Sequence, residues 1–220
     1  MKRIYVILAG IVIFVGVLVV LSTGMPERTP GTVTPPPDAA APDNAPEEVA
    51  RERYVSETYN FLFEYPLGVS VTEGPDSVYT VGEFFGEDGN VVVTAALADD
   101  AYQGTNYHRG FAGIAVSDTQ SEAECQMFRR EGEQLASQLP IPIEINGVRF
   151  YRGQTAGAAA GTIAQNRIYH GFYGGRCYEI SLNVFYSNIG NYEPGTVVEF
   201  DKEDVWSRLE SIALSFEFTN

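Results

Sequence analysis

The sequence predicts an α+β domain in which an antiparallel β-sheet is flanked by helices. Three observations carry that expectation. Short runs with two-residue periodicity recur through residues 53–220, and several are separated by pairs such as Asn146-Gly147 and Gly174-Gly175 that suit tight hairpins. Two other segments, around 119–138 and after Asp201, place apolar residues every three or four positions instead. Sequential hairpins build an antiparallel sheet, and amphipathic helices need an apolar surface to cover, so one sheet with helices packed on it satisfies both.

The chain opens with Met1-Lys2-Arg3 and then runs uncharged from Ile4 to Leu21, 18 residues that would span ~27 Å as a helix, close to the hydrocarbon thickness of a bilayer. Residues 1–24 are therefore expected to be a transmembrane anchor or a signal peptide. Two cations precede the run and the first charge after it is Glu27, which orients the N-terminus to the cytoplasm and everything beyond Leu21 to the outside. The run exceeds the usual ~7–15 residue core of a signal peptide, favouring an uncleaved, single-pass anchor in the cell membrane. Ser22-Thr23-Gly24 offers the small residues a signal peptidase reads, which keeps cleavage open. Residues 25–52 hold Pro26, Pro30, Pro35, Pro36, Pro37, Pro42 and Pro46, seven of the twelve prolines. Such a composition favours extended, solvated chain, read as a disordered stalk that holds a domain away from the membrane.

From residue 53 to 220 the strands and helices follow in order. Tyr59–Tyr65 alternates aromatics before Pro66, and Val69 and Val71 continue after a Pro66-Leu67-Gly68 turn. Val78–Phe85 and Val91–Leu97 flank Asp88-Gly89, a pair suited to positive φ and therefore to a hairpin. Thr119/Glu122 and Ser121/Glu124 both offer capping boxes to a helix whose buried stripe is Cys125, Phe128, Gly132, Leu135 and Leu139. Ile141, Ile143 and Ile145 lead into Asn146-Gly147 and Val148–Tyr151 returns; Arg167–Tyr173 and Arg176–Tyr186 flank Gly174-Gly175. Tyr178, Ile180, Leu182, Val184 and Tyr186 form the clearest core face. Asp201 can cap a helix burying Val205, Leu209 and Ile212, and Leu214–Phe218 reads as a last strand.

The opening Tyr59-Asn60-Phe61-Leu62-Phe63-Glu64-Tyr65-Pro66 resembles the aromatic-rich start of PsbP-like domains. The closing segment Leu209–Phe218 resembles their terminal helix and strand. Between them, Ile145–Phe150, Cys177-Tyr178-Glu179-Ile180 and Ser187–Tyr192 resemble segments of uncharacterised bacterial envelope proteins that carry one anchor and one such domain. The resemblance covers about residues 54–220. It implies an α-β-α sandwich around an antiparallel sheet, a fold that serves as a docking module in a lumenal photosystem subunit and in a neighbour that binds a GTPase. It supplies no catalytic residues to carry over. The proline-rich tether and the cysteine pair are departures from the plant subunit.

Cys125 and Cys177 are the only cysteines, and both follow the apolar run. An even count in an exported domain predicts a disulfide between them, closing a loop of 53 residues and stabilising the fold by ~4 kcal/mol. The competing reading, a thiol nucleophile at Cys125 assisted by His170 or His108, needs a free thiolate outside the cytoplasm and a helix position off the core stripe.

Other chemical signals are sparse. His108 and His170 have no second histidine at ligand spacing, and the acidic clusters Glu87-Asp88, Asp99-Asp100 and Asp201–Asp204 lack the spacing of a calcium loop. Gly153, Gly157 and Gly161 recur at four-residue spacing but no phosphate-loop Lys-Ser or Lys-Thr follows, so they read as close packing. No catalytic residue, metal site or cofactor is therefore expected. With 29 acidic and 14 basic side chains the formal charge is −15, which argues against nucleic acid as a partner. The expected partners are the membrane, through the N-terminal helix, and an envelope protein or wall component. Two function classes follow: a noncatalytic extracytoplasmic docking module, and an envelope hydrolase or glycan-acting enzyme using a carboxylate pair.

Overall fold

Ten strands form among the described residues, which in this computed structural model are 50–74, 89–98, 100–126 and 140–219, most of them on period-two alternation and turn chemistry. By compactness the chain divides into Met1–Ala45 and Pro46–Asn220, and all described residues belong to the second unit. The strands are β1 (Arg51–Ser56), β2 (Phe61–Pro66), β3 (Val69–Glu73), β4 (Asn90–Leu97), β5 (Tyr107–Ser117), β6 (Ile141–Ile145), β7 (Val148–Ala159), β8 (Thr162–Tyr173), β9 (Arg176–Ser187) and β10 (Glu217–Phe218). Two α-helices accompany them, α1 (Glu122–Gln126) and α2 (Lys202–Leu214). The expected run Ile4–Leu21, most of the stalk, Val78–Phe85, Asp88 and the helix beyond Gln126 lie outside the described residues. Among the described residues no helix is long and apolar enough to cross a membrane.

Seven strands form one antiparallel sheet in the order β3-β4-β5-β9-β8-β7-β6, and three form a second in the order β1-β2-β10. The hairpins β6–β7 and β8–β9 turn on Asn146-Gly147 and Gly174-Gly175 as the sequence predicts. A third, between β7 and β8, turns on Ala160-Gly161, so Gly161 belongs to a tight turn while Gly153 and Gly157 lie within β7. Both central residues of each turn have positive φ, the geometry whose twist matches that of paired strands.

Several details refine or change the sequence expectation, among them the last strand, expected over Leu214–Phe218 and limited to Glu217–Phe218 because α2 runs through Leu214. The first strand starts at Arg51, inside the stretch assigned to the stalk, because Arg51 and Glu52 pair with Pro66 and Tyr65. The Pro66-Leu67-Gly68 turn has a strand on each side as expected, but the two strands part: β2 goes to the small sheet and β3 to the large one, where β3 pairs with β4. And β4 has both edges taken, by β3 and by β5, so it does not make the hairpin expected across Asp88-Gly89; β5 is a strand buried on both sides for most of its length. A doubly buried strand loses the polar alternation that marks a half-exposed one, and Gly110-Phe111-Ala112-Gly113 shows none.

The large sheet separates two cores. On one face Tyr178, Ile180, Leu182, Val184 and Tyr186 of β9 pack with Phe61 and Phe63 of β2 and with Val205, Trp206, Leu209, Ile212 and Ala213 of α2. Asp201 caps α2 by accepting from the backbone N–H groups of Glu203 and Asp204, both at 3.0 Å. On the other face a smaller core gathers Ala96, Phe111, Ala115, Cys125 and Cys177, with Val91, Phe172 and Phe185 around it. Helix α1 sits on this face, over β8 and β9. Helices on opposite faces of an antiparallel sheet make the α+β class that the sequence predicts and the α-β-α layering that the resemblance implies.

At the α2 face, Arg167 pairs with Glu210 and lies 4.1 Å over the Trp206 ring, and the buried Tyr169 hydroxyl donates to Glu210 at 3.4 Å. Burial, reinforced by the Glu210 carboxylate, pushes the Tyr169 phenol up to about 12. A raised phenol disfavours the anion in the fold, so this contribution is complete below the unfolded value near 10 and is lost as pH rises through about 12. We expect an alkaline loss on the order of 2–3 kcal/mol from this residue, read as a falling melting temperature between about pH 9 and 12. Tyr169→Phe should flatten that slope, and an unchanged slope would refute the assignment.

Candidate functional site

Among the described residues, the fold gathers the buried side chains of Cys125, Cys177, His170 and Glu179. Strand β9 places Cys177 and Glu179 on the face opposite Tyr178 and Ile180, because successive strand residues alternate sides. The Gly174-Gly175 turn sets the register of the hairpin, and His170 of β8 stands directly opposite Glu179. Directly paired residues share a face, so imidazole and carboxylate meet beside Cys177. Cys125 comes from α1. Its helix starts with a capping box in which the Ser121 hydroxyl and backbone N–H both donate to Glu124 Oε2, at 2.7 and 2.9 Å. The Cys125 N–H then donates to the Ser121 carbonyl at 3.0 Å, holding the cysteine over the sheet.

Cys125 and Cys177 form the predicted disulfide, with Cα atoms 5.6 Å apart. Both are fully buried. One neighbouring position requires glycine for space: a Cβ on Gly171 would lie 2.5 Å from the ring of the buried Phe150 on the opposite face. The backbone there also serves the site, since the Gly171 carbonyl lies 3.6 Å from Cys125 Sγ.

The proton inventory of His170 follows from its partners. Nδ1 lies 2.7 Å from the Cys125 carbonyl oxygen, which can only accept, so Nδ1 carries a hydrogen. Nε2 lies 3.0 Å from Glu179 Oε2. With Nδ1 protonated, that contact exists either as imidazolium donating to carboxylate or as carboxylic acid donating to neutral imidazole. Each form has one shared proton and no net charge. Both residues are 1% exposed, and burial favours such a neutral unit over an isolated ion.

Of the alternatives weighed for Cys125, the structure brings His170 to the cysteine and not His108. His108 is exposed on β5, with Nε2 2.7 Å from the Ser187 hydroxyl. The cystine spends both sulfurs on each other, so no nucleophilic thiol is present in this state. Among the acidic clusters, Asp201 is the α2 cap, Asp204 accepts from the Tyr102 hydroxyl, and Asp100 is exposed. Glu87, Asp88 and Asp99 lie outside the described residues. Glu179 is the site residue that sequence reasoning missed, although counting outward from Gly174-Gly175 pairs it with His170.

No family model matches the chain, and no curated protein does. Among solved structures it is similar to a protein from Bacteroides thetaiotaomicron VPI-5482, at 11% identity and a TM-score of 0.44, over 76% of this chain and 48% of the other. The chain thus spans about half the length of that protein. It is also similar to cyanobacterial PsbP (CyanoP) from Synechocystis sp. PCC 6803, at 12% identity and a TM-score of 0.42, over 81% of this chain and 98% of the other. A PsbP structure therefore stands among its structural neighbours.

Proposed function

We propose that the chain is a membrane-anchored, noncatalytic docking module of the cell envelope, with residues 53–220 outside the membrane and an envelope protein or wall component as its partner. The observation that carries the noncatalytic reading is the burial of the chemically capable group. Cys125, Cys177, His170 and Glu179 are each at most 1% exposed, which leaves no approach for a polymeric substrate. Two further features support the location. A buried cystine belongs to an oxidising compartment, and the uncharged Ile4–Leu21 run after Lys2-Arg3 has the length and charge bias of an anchor with the domain outside. From Arg53 onward 23 carboxylates face 10 basic side chains, so cationic or neutral partners are favoured over anionic lipid.

Protease added to intact spheroplasts should release a folded fragment whose N-terminus lies within residues 25–52. A protected segment would overturn the topology, and a mature N-terminus at Met25 would convert the anchor into a signal peptide. The noncatalytic reading is tested by screening the purified chain against peptidoglycan, ester and peptide substrates. Turnover abolished by one Asp, Glu or His substitution that leaves the melting temperature unchanged would overturn it.

A further inference from the structure

The disulfide and the His170–Glu179 pair are adjacent, and the docking role uses neither. One donor atom from each of Cys125, His170 and Cys177 lies within 4.8 Å of the other two, all on buried residues. Three donors of a tetrahedral zinc ion, with bonds of ~2.0–2.3 Å, stand roughly 3.5 Å apart, so the cluster is within about an ångström of a ligand set. The sulfurs are closer than that only because they are bonded. The imidazole is held from both sides, by the Cys125 carbonyl at Nδ1 and by Glu179 at Nε2. A carboxylate behind the far nitrogen is the arrangement that orients a metal-binding histidine and raises its basicity. Phe111, Phe172 and Phe185 surround the cluster with apolar side chains, which exclude competing water.

We propose that Cys125, Cys177 and His170, with Glu179 as the positioning carboxylate, form a redox-gated site for a thiophilic divalent cation of the zinc class. The cystine closes the site. A dithiol reductant opens it: the S–S bond takes two electrons and two protons, the dithiol becomes a disulfide, and two thiols remain. The cation then displaces both thiol protons and the proton on Nδ1. Nδ1 exchanges its bond to the Cys125 carbonyl for a bond to the metal, while the Nε2 hydrogen stays on the Glu179 carboxylate. Three protein ligands leave the fourth position to water or a partner's donor.

The test uses the full chain in detergent, with Co2+ as the probe and a phosphine as reductant, so that no added thiol competes for metal. The phosphine takes up the oxygen of a water as it is oxidised. The oxidised chain should bind no cobalt. The reduced chain should bind one equivalent, with thiolate-to-cobalt charge-transfer and tetrahedral ligand-field bands that Zn2+ abolishes, and with three protons released per metal. Glu179→Gln should weaken binding by about 10–100-fold. His170→Asn should weaken it at least as much and lower the proton release to two. If reduction unfolds the chain, Zn2+ should restore its near-ultraviolet circular dichroism, because the metal's binding energy then becomes folding energy. The proposal is overturned by a reduced, folded chain without tetrahedral cobalt bands, by an unfolded reduced chain that zinc does not refold, or by a His170→Asn variant that binds cobalt as tightly as the parent.

Discussion

Reducing the Cys125–Cys177 disulfide in metal-free buffer should lower the melting temperature of the domain by about 8–16 °C. The cross-link closes a loop with a sequence separation of 52, which in the chain-entropy model stabilises the native state by ~4 kcal/mol. A domain of this size loses about 2–4 °C per kcal/mol. The cystine is also the centre of the smaller core, between Phe111, Phe172 and Phe185, so its loss loosens α1 on the sheet as well as the unfolded chain. The paired variant Cys125→Ala/Cys177→Ala should fall by a similar amount and show no response to reductant. Equal melting temperatures with and without reductant, with free thiols verified by alkylation, would refute the structural role of the bridge.

Removing one member of the His170–Glu179 pair is the second large effect. In His170→Ala the Glu179 carboxyl stays buried without the imidazole, a change that typically costs about 3–5 kcal/mol. Glu179→Gln should be far milder. The neutral ring keeps its Nδ1–H on the Cys125 carbonyl and presents a lone pair at Nε2, to which the glutamine amide donates, so both ring nitrogens retain a partner for a cost near 1 kcal/mol. Urea unfolding of the oxidised variants separates the two cases. A Glu179→Gln variant as unstable as Glu179→Ala would contradict the shared-proton arrangement. The same substitution is diagnostic twice over, because it spares the disulfide-closed fold while removing the charge that the proposed metal state requires.

The two halves of the site have different origins. The disulfide stabilises the domain, whereas a buried imidazole and carboxylate add little that an apolar pair could not supply. Burying a polar pair against a cystine is therefore the feature that a purely structural account of this core leaves unused, and it is the reason to examine the reduced state.

The local elements were written in the sequence. Asn146-Gly147 and Gly174-Gly175 specify their hairpins because positive φ at both turn positions is a property of two residues. The Ser121/Glu124 box and the Asp201 cap act within three residues of chain, and the alternation from Tyr178 to Tyr186 names one face of one strand. The pairing of the two cysteines needed only their number and their place after an apolar run. Tertiary structure decided the rest. Strand β5 became an interior strand of the sheet, between β4 and β9, although its sequence has no alternation, because a strand covered on both sides has no solvent face to mark. The Pro66-Leu67-Gly68 turn sends its two strands to different sheets: β2 pairs with its neighbour β1 and with the distant β10, while β3 pairs with β4, more than 20 residues beyond the turn. His170 and Glu179 are set opposite each other by a turn the sequence does reveal, but what they face is set by α1, 45 residues earlier, whose carbonyl fixes the proton on the ring. Contacts between distant segments depend on which surfaces remain to be buried once the local elements exist, and no window of sequence contains that information.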